Sequence, residues 1–193
     1  LSHNQIQSIN FNYMPRLKEL YLIGNRLKII EPYFFSNLRN LIYLDLRKNQ
    51  IETIFRDAFF NLNNLKYLFL SDNKLDSTSL YSLQNMKSLE CLYIDRNRVS
   101  SLAMDPFPFY NLPNLIEIDF EYNQIEYINI SHFEKMLPRL ELINLCFNKF
   151  RPSLDEPDCY WLVKENSSDK KILKTNDLKI KNIVYDMPTK HYD

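Results

Sequence analysis

The sequence predicts an α/β solenoid: a curved stack of coils with a parallel β-sheet on its concave side and an irregular convex side. Three observations predict it. One apolar phrase closed by an asparagine recurs along the chain, a pair of large apolar residues follows each copy, and only one glycine occurs among 193 residues. Self-similarity at a period of roughly 20 to 50 residues marks stacked-repeat architectures.

The phrase first appears whole as Leu17-x-x-Leu20-x-Leu22-x-x-Asn25-x-Leu27, then as Leu41, Leu44, Leu46, Asn49 and Ile51. Leu65, Leu68, Leu70, Asn73 and Leu75 repeat it, followed by Leu89, Leu92, Ile94, Asn97 and Val99. Leu115, Ile118, Phe120, Asn123 and Ile125 form the next copy, and Leu140, Ile143, Leu145, Asn148 and Phe150 the last. Leu1, Asn4 and Ile6 match the back half of another copy, so the asparagines are spaced by 21, 24, 24, 24, 26 and 25 residues. The second half of each period carries Phe11 and Met14, Phe35 and Leu38, Phe59 and Leu62, Leu83 and Met86, Phe109 and Leu112, or Phe133 and Met136.

This pattern resembles the leucine-rich repeat family, specifically its extracellular class of roughly 24-residue repeats, over roughly three quarters of the chain. The resemblance implies a leucine-rich repeat horseshoe. Physics gives the same shape: Leu-x-Leu alternation is the period of a short strand with leucines facing in. One such strand cannot bury its leucines alone, so successive strands must pair in parallel and the coils must stack. In each turn an Asn amide, with two donors and two acceptors, can satisfy backbone groups that would otherwise be buried unpaired. Asn25, Asn49, Asn73, Asn97, Asn123 and Asn148 are therefore read as structural.

Glu31-Pro32, Asp105-Pro106 and Phe107-Pro108 fall between strands and forbid long helices, so short turns or helical turns are expected on the convex side. The fifth period holds two extra residues, which predicts a small bulge at Met104 to Tyr110 that leaves the concave sheet undisturbed.

Residues 1–150 are assigned to the solenoid, as one partial and six further repeats. Beginning within a repeat should leave Leu22 and its layer without a proper cover, which reads as a missing N-terminal cap. Residues 151–193 are assigned to a reduced C-terminal cap and a partly disordered tail. The stretch from Glu156 to Leu162 is similar to the cysteine-containing cap of extracellular members, with Trp161 placed to cover the last leucine layer; the full cap carries four cysteines and this stretch has one. A Cys146–Cys159 bridge is one reading and free, half-buried thiols the other. Beyond Trp161 helix and strand both remain open, with a loosely ordered tail expected from about Asn166.

Composition excludes several functions. Twenty-four basic residues balance 24 acidic ones, which removes the long-range field needed for non-specific binding to nucleic acid or an anionic membrane. One glycine cannot build a phosphate-cradling loop, a dinucleotide fingerprint or a nucleophile elbow. No apolar run is long enough to span a bilayer. His3, His132 and His191 do not fall beside a nucleophile, so no enzyme and no cofactor are expected. Asp155, Glu156 and Asp158 lack calcium-loop spacing, and no metal site is assigned.

Outward strand positions instead suggest recognition. Tyr21, Tyr43, Tyr67, Phe69 and Tyr93 should form an aromatic band, with Asp95, Glu117, Asp119 and Glu121 as an acidic patch beside it. Aromatic rings give large contact area at low entropy cost. The expected partner is a protein ligand or co-receptor with an apolar or aromatic knob and a basic rim; any oligomer would form through flanking regions. Sequons at Asn129 and Asn166 would leave the concave sheet clear and favour export. The resemblance extends to Toll-like receptors and insect leucine-rich immune proteins, which implies a secreted or receptor-ectodomain role in innate immunity. A cell-adhesion or matrix spacer and an intracellular regulatory scaffold are the other readings.

Overall fold

The computed structural model describes residues 1–126, 128, 133, 135–150, 160–165 and 169–174. Each apolar phrase contributes a three-residue strand: β1 (Glu19–Tyr21), β3 (Tyr43–Asp45), β5 (Tyr67–Phe69), β6 (Cys91–Tyr93), β7 (Glu117–Asp119) and β8 (Leu142–Asn144). Two further strands, β2 (Ile29–Ile30) and β4 (Thr53–Ile54), pair in parallel as a separate sheet. The six strands of the phrase lie in parallel in chain order, with Leu20, Leu44, Leu68, Leu92, Ile118 and Ile143 in direct register. The chain is thus the expected solenoid.

Burial follows from that register. Leu22, Leu44, Leu46, Leu68, Leu70, Leu92 and Ile118 have no solvent exposure. Burying each contributes about 1.5–3 kcal/mol relative to exposure. Behind the leucines runs a file of phenylalanines. Phe11 packs on Phe35 (5.8 Å between ring centres), and Phe35 stacks on Phe59 (6.0 Å). The file lapses at Leu83 and resumes with Phe109 against Phe133 (5.7 Å).

The convex side is built from turns, as its prolines require. Where the file lapses, Ser77–Leu83 forms a 3₁₀ helix; the Asp76 carboxylate accepts the N–H groups of Thr78 (3.0 Å) and Ser79 (3.3 Å). The two extra residues of the fifth period are absorbed in the segment containing the cis Asp105–Pro106 bond. Cys91 still pairs with Glu117, so the sheet register is unbroken.

One expectation at the front needs correction. Leu22 is fully buried. The opening segment covers it: His3 N–H donates to the Ile23 carbonyl (2.7 Å), Arg26 N–H to the Ile6 carbonyl (2.9 Å), and Ile6, Ile9 and Phe11 pack against the core. Met14, the apolar partner of Phe11 in the sequence pattern, is 42% exposed.

At the far end, β9 (Tyr160–Glu165) joins β8 antiparallel, with Asn144 opposite Trp161, and β10 (Asp169–Lys174) pairs antiparallel with β9. Residues 169–174 are thus strand where a loosely ordered tail was expected. Only three residues separate β9 from β10, a spacing that suits antiparallel pairing and is far too short for a parallel crossover.

Candidate functional site

The register sorts outward side chains into rows across the sheet. One row reads Glu19, Tyr43, Tyr67, Cys91, Glu117 and Leu142; the next reads Tyr21, Asp45, Phe69, Tyr93, Asp119 and Asn144. The expected aromatic band therefore zigzags between two rows. Tyr21 meets Tyr43 (5.0 Å), Tyr43 meets Phe69 (4.8 Å), and Phe69 stacks on Tyr93 at 4.9 Å with planes 4° apart. Tyr67 joins through Tyr43 at 6.3 Å. Offset and tilted pairs of this kind are favoured by the ring quadrupoles.

Not every outward position faces solvent. Phe69 is 7% exposed and Asp45 is fully buried. Concave curvature crowds neighbouring side chains, and Arg47 closes over both: its guanidinium lies 5.1 Å from the Phe69 ring centre and donates to both Asp45 oxygens (Nε–Oδ1 3.0 Å, Nη2–Oδ2 2.5 Å). Phe69 is therefore the floor of the band, while Tyr21, Tyr43, Tyr67 and Tyr93 are half-buried. Burial, with Asp45 nearby, pushes the Tyr43 hydroxyl up to about 12.

The structure also brings together the four acidic residues. Asp95 is ion-paired with Arg96 (2.8 Å) and accepts a hydrogen bond from the Ser71 hydroxyl. Asp119 is pushed up to about 6, first by burial and further by the charges of Asp95 and Glu121; the Glu121 N–H, at 2.8 Å, pulls the other way. Burial likewise raises Glu117, against a hydrogen bond from Tyr93. Aromatic and acidic groups share one concave trough of about 520 Å³ that runs from Arg47 and Phe69 across Tyr93 to Glu117, Asp119 and Glu121.

Of the remaining sequence candidates, Asn129, Asn166 and Cys159 lie outside the described residues. Cys146 is disulfide-bonded and Cys91 is a free thiol, pushed up to about 12 by burial. The six structural asparagines each bridge two coils. Asn73 Nδ2 donates to the carbonyls of Leu70 in its own coil and Leu46 in the preceding one, both at 3.0 Å, and its Oδ1 accepts Ile51 N–H at 2.9 Å. Asn25, Asn49, Asn97, Asn123 and Asn148 repeat this arrangement.

Two columns escaped the sequence reading. Just before the strands, Asn40, Asn64, Ser88 and Asn114 each donate to a carbonyl of the preceding coil, at Pro15, Arg39, Asn63 and Lys87. The signal was present as a polar residue immediately before Leu41, Leu65, Leu89 and Leu115. The second is conformational. The residue before each asparagine, from His3 and Gly24 through Lys48, Asp72, Arg96 and Tyr122 to Phe147, has φ between 50° and 66°. Only one of the seven is glycine, so composition concealed it.

Comparison with known proteins agrees with this geometry. A leucine rich repeat family model matches residues 15–75, 39–99 and 88–150. Among curated proteins nothing matches the chain. Among solved structures, the TLR13 chain of a TLR13–ssRNA13 complex is similar, with 28% identity and a TM-score of 0.58 over 72% of this chain. The alignment spans only 20% of that TLR13 chain.

Proposed function

The chain belongs to the leucine-rich repeat family, and from that premise we infer that it is a non-enzymatic recognition module that binds a protein partner on its concave face. The observation that carries this reading is the unbroken ring-to-ring path from Tyr21 through Tyr43 and Phe69 to Tyr93, ending beside Glu117 and Asp119 in one trough. Such a surface suits an apolar or aromatic knob on the partner, flanked by basic side chains.

The same inference extends to export, as a secreted protein or part of a receptor ectodomain in innate immunity. The likeness to a stretch of TLR13 and the two sequons support it. TLR13 is bound to ssRNA13 in its complex. For this chain, zero formal net charge and the carboxylates of the trough favour a protein over a nucleic acid.

The test is capture from extracellular fluid by the chain and by a Tyr67→Ala/Tyr93→Ala variant. A protein held by the former and lost with the latter supports the reading; undiminished capture by the variant overturns it. Glycan on Asn129 or Asn166, read by mass spectrometry of secreted material, tests export separately.

A further inference from the structure

A third asparagine column runs along the convex side. Asn61 and Asn85 occupy the same place in successive coils, 12 residues after Asn49 and Asn73, and Asn111 holds that place in the lengthened coil. All three are left-handed, with φ of 69°, 67° and 60°. Asn111 Nδ2 donates to Asn85 Oδ1 at 2.8 Å, continuing the column in one direction. No such bond joins Asn85 to Asn61 among the described residues, and a cavity of about 560 Å³ opens there, lined by both amides.

The surroundings of this gap differ from those of the concave trough. There, carboxylates predominate, with Asp72, Asp95, Glu117, Asp119 and Glu121 against Arg47, Lys48 and Arg96. Here two cations, Arg56 and Lys87, and one carboxylate, Asp57, line the cavity without an ion pair among the described residues. Phe60, 50% exposed with its ring edge-on to Tyr33, and half-buried Tyr81 from the 3₁₀ helix also line it. The cavity lies where the 3₁₀ helix replaces the ordinary convex turn and Leu83 interrupts the phenylalanine file.

We propose that this cavity is a carbohydrate site that takes a short neutral oligosaccharide. Primary amides present a donor and an acceptor side by side, which matches vicinal hydroxyls; a guanidinium donates two hydrogen bonds to such a pair, and a carboxylate accepts two from it. Aromatic rings at the walls cover the apolar C–H faces of a pyranose. Asp57 offsets one of the two cations, Arg56 and Lys87, and the other polar groups of the lining are uncharged, so hydrogen bonding carries most of the recognition. The volume falls in the range of small-molecule sites. The site is separate from the concave face and does not depend on the protein-recognition reading.

The probes are triacetylchitotriose and maltotriose at millimolar concentration, read by saturation-transfer NMR on the full chain. At least one should receive saturation. Asn61→Gly keeps a residue at ease in the left-handed backbone and removes only the amide, and Arg56→Ala removes an exposed side chain; each should weaken binding about tenfold. The Tyr67→Ala/Tyr93→Ala variant should bind the sugar as the parent does. Absence of transfer to both saccharides overturns the proposal, as does binding that Asn61→Gly leaves undiminished. Thermal unfolding of the variants separates lost contact from lost fold.

Discussion

Asp119 and Asn144 do the same work one coil apart: each side-chain Oδ1 accepts the N–H two residues on, from Glu121 at 2.8 Å and from Cys146 at 3.1 Å. The bond needs an oxygen and not a charge. Asp119 nonetheless carries one, and burial raises its pKa from 3.8 to about 6. Because the folded state holds this proton more tightly than the unfolded state, stability is full below the unfolded value and falls as pH rises from 3.8 to about 6. Asp119→Asn should therefore raise stability at neutral pH by about 2 kcal/mol, with the advantage gone near pH 4. Denaturant titrations at the two pH values check this; an equal gain at both removes the electrostatic explanation.

Arg47 and Asp45 test the opposite situation, a buried carboxylate with its partner in place. Arg47→Ala leaves Asp45 uncompensated and should cost about 3 kcal/mol. Adding Asp45→Asn should recover most of that loss, because an amide oxygen can still accept the Arg47 N–H that Asp45 accepts at 3.1 Å. A double-mutant cycle by urea unfolding measures the coupling, and simple additivity would contradict this account.

The bridging asparagines should not be equivalent to the first. Asn73→Ala orphans the N–H of Ile51 and leaves the carbonyls of Leu46 and Leu70 with one donor each, from Asn49 and Asn97, at a cost of about 2 kcal/mol. Asn4 bonds only the Leu1 and Ser2 carbonyls at an exposed site, so Asn4→Ala should cost less than about 0.5 kcal/mol. Paired melting curves decide whether depth in the stack sets the value of an amide.

The left-handed column makes a prediction of opposite sign at two neighbouring coils. Lys48, at φ 53°, is exposed, and Lys48→Gly should stabilise by about 1 kcal/mol. Gly24→Ala should destabilise by about 1 kcal/mol, since φ is +66° and the added Cβ would sit 2.8 Å from His3 Nδ1. His3→Ala alongside it should relieve the steric part and leave the backbone part. Melting temperatures of the three variants check this.

The 24-residue spacing was enough to read the strand order, the leucine layers and the coil-bridging asparagines, because stacking forces equivalent residues into register. It was not enough to tell which outward side chains remain accessible. Tyr93 and Phe69 stand at the same place in adjacent coils, yet only Phe69 is buried, since Arg47 folds over it. Alternation assigns a face; crowding on a curved face depends on side chains of the adjacent coil. The same locality hid the hairpin of β9 and β10, whose residues follow no repeat, and the left-handed column, which seven different side chains share only in backbone angle with one another.

The Asn97 to Asn123 interval carries two residues more than the one before it and one more than the one after, yet β6 and β7 meet as if the lengths were equal. Slack in this molecule accumulates at the rear and never reaches the front. A foreign peptide grafted into the stretch from Met104 to Tyr110 should therefore be displayed without retuning the opposite surface, and the two sides can be redesigned, or can diverge over evolution, on separate schedules.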